Sequence, residues 1–214
     1  MKIRLYDTGK RYNRDWIFRH ADLEFTSGTA YAITGPNGSG KSTLLQTIAG
    51  MLQPSEGRID FVDSDDQVIP AEKSFAQVSF CAPYLDVIEE MNLEEFLEFH
   101  THFKPLMPGM QPRDVIAAVG LQAAAGKQIR FFSSGMKQRV KLAQAMLADT
   151  GVVLLDEPCT NLDAAGIELY HQLIRDYCTD KLVVVCSNDP VEYEFCTERI
   201  NIMQYKSLPE GRLT

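Results

Sequence analysis

The stretch Gly35-Pro36-Asn37-Gly38-Ser39-Gly40-Lys41-Ser42 decides how the rest of this 214-residue chain is interpreted. It fits the pattern G-x-x-x-x-G-K-[ST], in which glycines let successive backbone N–H groups point into one hollow that holds phosphate oxygens. Residues 30–34 before it are typical of a buried strand, and residues 43–49 after it predict the start of a helix. In that setting Lys41 can reach the β- and γ-phosphates of a nucleotide, and Ser42 can place its hydroxyl on Mg²⁺. We therefore predict a nucleotide-binding loop rather than a plain glycine turn, and the absence of G-x-G-x-x-G spacing disfavours a dinucleotide site.

Bulk composition narrows the classes of protein that the chain can belong to. There are 21 basic and 29 acidic residues, a net charge of −8, which disfavours a large nucleic-acid surface. The five cysteines show no C-x-x-C pairing, and this is typical of reduced cytosolic thiols. The N-terminus has no apolar signal core, and no apolar run approaches the roughly 18 residues of a membrane span. Any membrane role would need a separate partner chain.

Strand and helix patterns alternate along the chain, which predicts an α/β fold with a doubly wound sheet. Residues 85–147 interrupt the alternation, because strand signals vanish there and helical ones replace them. We expect one domain, with a core at about 1–84 and 149–214 and a helical subdomain inserted at about 85–148. The predicted strands are 3–6 (ended by a turn at 7–9), 18–25, 58–62, 77–81, 152–155, 182–186 and a terminal strand near 200–202 with a turn at 209–211. The predicted helices are one from 43 to about 50, one containing Leu93, Phe96, Leu97 and His100 on one face, and others at 113–119, 135–147, 166–178 and 191–196.

An acidic pair, Asp156-Glu157, directly follows the aliphatic run 152–155. An aspartate at a strand end can hold the Mg²⁺ shell, and the next glutamate can orient or deprotonate an attacking water. The alternative is an exposed carboxylate pair. The phosphate loop upstream favours the first interpretation, because two halves of one site then agree.

Two further segments have both a structural and a functional interpretation. Ser133-Ser134-Gly135 precedes a predicted helix, where serine hydroxyls and a glycine N–H can bind an anion. Local chemistry alone favours an ordinary serine N-cap. Tyr12 is either packed in the sheet or stacked on an adenine base.

Taken together, these motifs resemble those of ABC-transporter ATP-binding subunits, and the resemblance covers essentially the whole chain. Residues 35–42 match the Walker A motif, 152–156 the Walker B motif, and Glu157 the catalytic glutamate that follows it. Residues 133–139 resemble the LSGGQ signature, with Phe132 in place of the usual leucine, and 160–163 resemble the D-loop. The implied fold is a P-loop NTPase (RecA-like) with a mixed or parallel sheet core, an antiparallel β edge and an inserted α-helical subdomain.

The resemblance also implies roles for individual residues. Catalysis is assigned to Glu157, Lys41 and Asn188, and Mg²⁺ coordination to Ser42 and Asp156. ATP binding is assigned to Tyr12, Gly35, Pro36, Asn37, Gly38, Ser39, Gly40, Lys41, Ser42 and Thr43. Contacts to ATP held by a second subunit are assigned to Ser133, Ser134, Gly135 and Met136, and the D-loop role to Asp163.

Three departures from the family pattern bear on the rate of hydrolysis. Ser134 and Met136 replace a glycine and a glutamine of the signature. No glutamine occurs at 82–84, where the Q-loop glutamine should fall. Asn188 stands in place of the switch histidine, and an amide can donate to a phosphate but cannot titrate or carry positive charge. We therefore expect ATPase activity that is slow.

The implied function is to power an ABC transporter, by analogy an exporter, through head-to-tail dimerisation driven by ATP. The expected partners are a second copy or a homologous ATPase subunit and a separate transmembrane permease, without nucleic acid. The expected location is the cytoplasm, at the inner face of the membrane through the permease. The alternatives are a soluble non-transport ABC ATPase and a weakly hydrolysing nucleotide-binding regulatory module.

Overall fold

The computed structural model describes residues 1–206, which form two β-sheets surrounded by helices. The strands are β1 Lys2–Tyr12, β2 Asp15–Thr26, β3 Ala30–Thr34, β4 Glu56–Val62, β5 Val68–Ile69, β6 Val78–Cys81, β7 Val152–Asp156, β8 Leu182–Cys186 and β9 Glu198–Asn201. The helices are α1 Lys41–Ile48, α2 Ala71–Ser74, α3 Leu93–Thr101, α4 Pro112–Ala118, α5 Ser134–Met146, α6 Ala164–Tyr177 and α7 Pro190–Tyr193.

The central sheet is parallel and has the strand order β6-β7-β8-β3-β9. Every residue of β7 and β8 is buried, because the sheet is covered on both faces, as the aliphatic runs predict. Side chains alternate between two cores: Val152 and Leu154 pack on one face, and Val153 and Leu155 on the other. Since all five strands are parallel, the carboxyl ends of β3, β7 and β8 reach the same edge of the sheet.

The predicted antiparallel strands form a sheet of their own, with the order β2-β1-β4-β5. The predicted turn at 7–9 is wrong, because β1 runs through it to Tyr12. The pairing of β1 with β2 is irregular there, and Asp7 has a φ of 43°. Thr8 is buried and its hydroxyl donates to Arg58 O at 2.9 Å, so the segment keeps a neighbour on β4 and the strand continues.

The segment between β6 and β7 is helical among the described residues, as predicted, and contains α3, α4 and α5. The predicted inner face of α3 is confirmed, since the buried residues of this helix are Leu93, Phe96, Leu97 and His100. These helices share one continuous core with a face of the parallel sheet. The division into a core and a helical subdomain stays a proposal.

The last elements differ slightly from the expected ones. The helix predicted over 191–196 is limited to α7, and the terminal strand β9 is followed by a 3-10 turn at Ile202–Tyr205. The turn predicted at 209–211 lies outside the described residues. Within residues 1–206, no helix has the length and apolar character needed to cross a bilayer.

Candidate functional site

The phosphate-loop residues lie between the end of β3 and the start of α1, in the predicted strand–loop–helix order. Two glycines allow the loop to pack closely on its neighbours. Gly40 has a φ of +99°, and a Cβ there would lie 2.4 Å from Ile17 Cγ2. Gly35 has a φ of +145°, and a Cβ there would lie 2.5 Å from Ile202 Cγ2. Gly35 and Gly40 are therefore required by both backbone conformation and space.

The loop encloses an open cavity of about 240 Å³. Glu157, which is distant from the loop in sequence, lines the cavity together with Ile17 of β2. Ile17 was not predicted, and an isolated isoleucine in a strand gives no sequence signal for such a role. The remaining lining residues are Asn37, Gly38, Ser39, Gly40, Lys41, Ser42 and Thr43.

The Lys41 side chain is folded back into the loop. It is 5% exposed, and its Nζ donates to Gly35 O at 2.8 Å and to Pro36 O at 3.3 Å. The Ser39 hydroxyl nearby is buried and has no hydrogen-bond partner within the described part of the chain. The loop thus holds a cation and an unsatisfied hydroxyl beside N–H groups at a helix start, which suits an anion.

Asp156 ends β7 and is 2% exposed. Its Oδ2 accepts a hydrogen bond from the Tyr84 hydroxyl at 3.2 Å, while its Oδ1 is buried and has no partner among residues 1–206. Burial raises the pKa of Asp156, and hydrogen bonding from Ser42 and Tyr84 opposes that rise. An orphaned carboxylate oxygen close to a serine hydroxyl fits a hard cation such as Mg²⁺, which prefers oxygen ligands.

Within the part of the chain that the structure describes, no group of three or more His, Cys, Asp or Glu side chains is placed to hold an ion. Mg²⁺ is commonly bound through one or two carboxylates together with substrate phosphates. The site therefore fits a cation that arrives with a nucleotide.

Glu157 has an unusual backbone conformation. Its φ is +44°, in the left-handed region that non-glycine residues seldom adopt. Its N–H donates to Cys186 O of β8 at 2.9 Å, so the sheet holds the residue in this conformation. The side chain is exposed and borders the cavity beside Lys41. Such strained residues cluster at functional sites, which is consistent with the predicted catalytic role.

Asn188 follows β8 and reaches the phosphate loop directly. Its Nδ2 donates to Asn37 Oδ1 at 2.7 Å. The structure thus brings the residue at the expected switch position against the loop, although 151 positions separate the two residues in the sequence.

The signature residues lie in a second cavity, of about 460 Å³, which shares no lining residue with the first. Ser133 is the N-cap of α5, accepting from Met136 N at 3.2 Å, so the structural interpretation of this serine is confirmed. Ser134, Gly135 and Met136 line the cavity with Asp163, which is the N-cap of α6. A Cβ on Gly135 would lie 3.1 Å from the Asn161 carbonyl, so the signature and the D-loop pack against each other.

Tyr12 lies at the end of β1, 47% exposed, with Lys10 Nζ 5.6 Å from the centre of its ring. It is not among the residues that line the phosphate-loop cavity. Its stacking on an adenine base stays a prediction.

Sequence reasoning missed the Tyr84 hydroxyl. The absence of glutamine at 82–84 is evident from the sequence, but the phenol in its place bonds to both Asp156 and Gln46. Burial raises the pKa of Tyr84, so the hydroxyl remains a neutral donor. No local pattern indicates this contact, because it joins residues 72 positions apart.

Comparison with known proteins places these features in one family. A family model described as "ABC transporter" matches residues 18–160. The chain is 33% identical over 181 residues to the cytochrome c biogenesis ATP-binding export protein CcmA of Rhodopseudomonas palustris, covering 82% of this chain and 86% of that protein. It is 30% identical to the lipoprotein-releasing system ATP-binding protein LolD of Oleidesulfovibrio alaskensis, with 88% of each chain covered. The dimeric structure of MJ0796, a bacterial ABC transporter cassette, superposes with a TM-score of 0.78 at 24% identity, covering 93% of both chains.

Proposed function

The chain belongs to the ABC transporter family of ATP-binding proteins, and from this premise we propose that it hydrolyses ATP to drive an exporter. The observation that carries the proposal is the meeting of groups that are distant in sequence. The phosphate loop and the strained Glu157 line one cavity, and the buried Asp156 directly precedes Glu157 in the chain. The family's ATP binding and hydrolysis account for that arrangement. Export is supported by the CcmA relatives, which are ATP-binding export proteins.

Phosphate oxygens of ATP would replace the carbonyls of Gly35 and Pro36 as partners of Lys41. A charged acceptor makes a hydrogen bond with an ammonium stronger than a neutral carbonyl does. The N–H groups at the start of α1 and the Ser39 hydroxyl would complete the cradle.

Mg²⁺ would be held by Ser42 and Asp156, and it would neutralise negative charge on the phosphates. Glu157 would orient the attacking water and accept its proton. Asn188 would donate its amide N–H to the γ-phosphate. Its Nδ2 already lies at the phosphate loop, where it bonds to Asn37. Because an amide cannot carry the positive charge of a histidine, we expect slow turnover.

A second copy of the chain, or a homologous ATPase subunit, would complete the site. The phosphate-loop cavity and the signature cavity have no lining residue in common, so Ser133 and Gly135 of the same copy do not line the cavity that would hold the nucleotide. A head-to-tail dimer would bring the signature of one copy to the loop of the other. MJ0796, which is dimeric, offers a precedent for the same fold.

A permease would dock on a groove of about 270 Å³ that lies between β6 and helices α3 and α5, where apolar side chains are mixed with polar ones such as Lys104 and Gln144. Its rim exposes Met51 and Phe75, which are 51% and 62% accessible and would offer apolar contacts to a partner. Docking there would hold the chain at the inner face of the membrane. An amphipathic segment of the permease is the occupant that this chemistry favours.

The experiment compares ATP turnover and ATP binding in the wild type and in Glu157→Gln. We expect turnover to fall by about 10²- to 10⁴-fold, the contribution of a general base, while ATP binding is retained. Equal turnover in both proteins would refute the assignment of Glu157. Asn188→His is the companion variant, and it should raise the rate if the missing charge limits turnover.

Co-purification from membranes separates the transporter role from the two alternatives. A transporter subunit should co-purify with a multi-span protein. Recovery without such a protein supports a non-transport ATPase. ATP binding without measurable turnover supports the regulatory module, an alternative that the asparagine at 188 keeps open.

A further inference from the structure

The Tyr84 hydroxyl lies between the phosphate-loop helix and the buried carboxyl group at the end of β7. It is 2.6 Å from Gln46 Nε2 of α1 and 3.2 Å from Asp156 Oδ2. The Gln46 amide nitrogen can only donate, so the phenol oxygen accepts from it. The single phenol hydrogen is then directed to Asp156, and this fixes the direction of both bonds.

The bond to Oδ2 determines how Asp156 presents its other oxygen. A carboxylate is planar, so holding one oxygen sets the orientation of the second. That second oxygen, Oδ1, is the buried one without a partner among residues 1–206. The Ser42 side chain lies close to this carboxyl group and lowers its pKa. Tyr84 therefore orients the acceptor that fits a cation.

The segment that carries Tyr84 is tied to helix α5. Lys141 Nζ of α5 donates to Pro83 O at 2.9 Å, one residue before the tyrosine. Gln138, also on α5, donates to Pro158 O at 2.7 Å, two residues after the aspartate. Helix α5 begins at the Ser133 cap. The tyrosine thus connects the signature helix to the carboxyl group.

We propose that Tyr84 is a positioning residue that holds Asp156 for the metal ion and links its orientation to the placement of helix α5. The inference rests on the proposed function, since it concerns the cation that accompanies ATP. The phenol would take this role within residues 82–84, where the family's Q-loop glutamine is absent. It accepts one hydrogen bond from Gln46 and donates one to Asp156.

The test measures ATP binding as a function of Mg²⁺ concentration in a Glu157→Gln background, where ATP is not consumed. Tyr84→Phe removes the hydroxyl and keeps the ring. We expect the Mg²⁺ concentration for half-maximal binding to rise by about 3- to 10-fold, as for the loss of a typical hydrogen bond. ATP binding without Mg²⁺ should change by less than about 2-fold, because the phosphate loop is untouched.

Three variants control the result. Tyr6→Phe removes the hydroxyl of another partly exposed tyrosine, on β1, and should leave the midpoint unchanged. Tyr84→Gln restores an amide donor and should recover part of the shift. Lys141→Met releases Pro83 and should move the midpoint in the same direction as Tyr84→Phe. The unfolding temperature without nucleotide checks that each variant is folded.

An unchanged Mg²⁺ midpoint in folded Tyr84→Phe would overturn the inference. An equal loss of ATP binding with and without Mg²⁺ would also overturn it, because the tyrosine would then support the loop in general. If the Glu157→Gln parent itself fails to bind ATP, the proposed function fails instead. Should Tyr84→Phe not fold, Gln46→Met removes the donor that orients the hydroxyl, and the same midpoint decides.

Discussion

Adding a single methyl group to the phosphate loop separates backbone strain from steric contact. Gly38 and Gly40 both have positive φ, +73° and +99°. A Cβ at Gly38 meets nothing within 4 Å, whereas one at Gly40 lies 2.4 Å from Ile17 Cγ2. The two alanine variants therefore share the strain and differ in the contact.

The magnitudes follow from these two terms. An alanine in the left-handed region costs about 1–2 kcal/mol, which is the expected loss of stability for Gly38→Ala. Overpacking adds about 1–3 kcal/mol, so Gly40→Ala should lose about 2–5 kcal/mol. The stiffer unfolded chain stabilises both variants alike, and the difference between them reports the contact.

The assay is urea unfolding of the nucleotide-free protein, extended to a double-mutant cycle with Ile17→Ala. Removing Cγ2 of Ile17 should recover most of the contact term in Gly40→Ala and nothing in Gly38→Ala. Equal losses for the two glycine variants would refute the reasoning. So would a coupling between Ile17 and Gly40 below about 0.5 kcal/mol, since that is the additivity expected of independent sites.

Single contacts elsewhere give three further predictions. Ser133→Ala removes the cap of α5 and should lower the free energy of unfolding by about 1 kcal/mol, whereas the neighbouring Ser134→Ala should change it less; equal losses would contradict the cap. Lys181→Met leaves two buried carbonyls at the end of α5 without their ammonium donor, so we expect a loss of about 2 kcal/mol by urea unfolding. As a control, Lys2→Met breaks an exposed ion pair and should lower the free energy of unfolding by less than about 1 kcal/mol. An equally small loss for Lys181→Met would contradict the stabilising role of Lys181 as a donor to the buried carbonyls. Burial raises the pKa of Glu192 above its ordinary 4.5, so the unfolded chain loses this proton first and wild-type stability falls as the pH rises through that window. The stability of Glu192→Gln relative to the wild type should therefore increase between about pH 4 and about pH 8, and thermal unfolding that shows a flat or falling difference would contradict it.

The elements that sequence predicted well are those set by local periodicity. The aliphatic runs predicted β7 and β8 to within one residue, and the four residues predicted to share one face of α3 are its buried residues. The prediction failed at Asp7, where residues typical of a turn lie within a continuous strand. There the buried contact between Thr8 and Arg58 on the next strand overrides local turn preference.

The sequence by itself determined the family, the phosphate loop and the acidic pair, because each motif is a run of neighbouring residues whose chemistry depends on spacing. Tertiary structure alone decided which distant groups meet. The parallel sheet brings the ends of β3, β7 and β8 to one edge, and this places Glu157 at the loop and Asn188 on Asn37. It also separates the signature cavity from the loop cavity and sets the Tyr84 hydroxyl on Asp156. Those contacts depend on strand order and on side-chain reach across the fold, and neither is encoded in a local pattern.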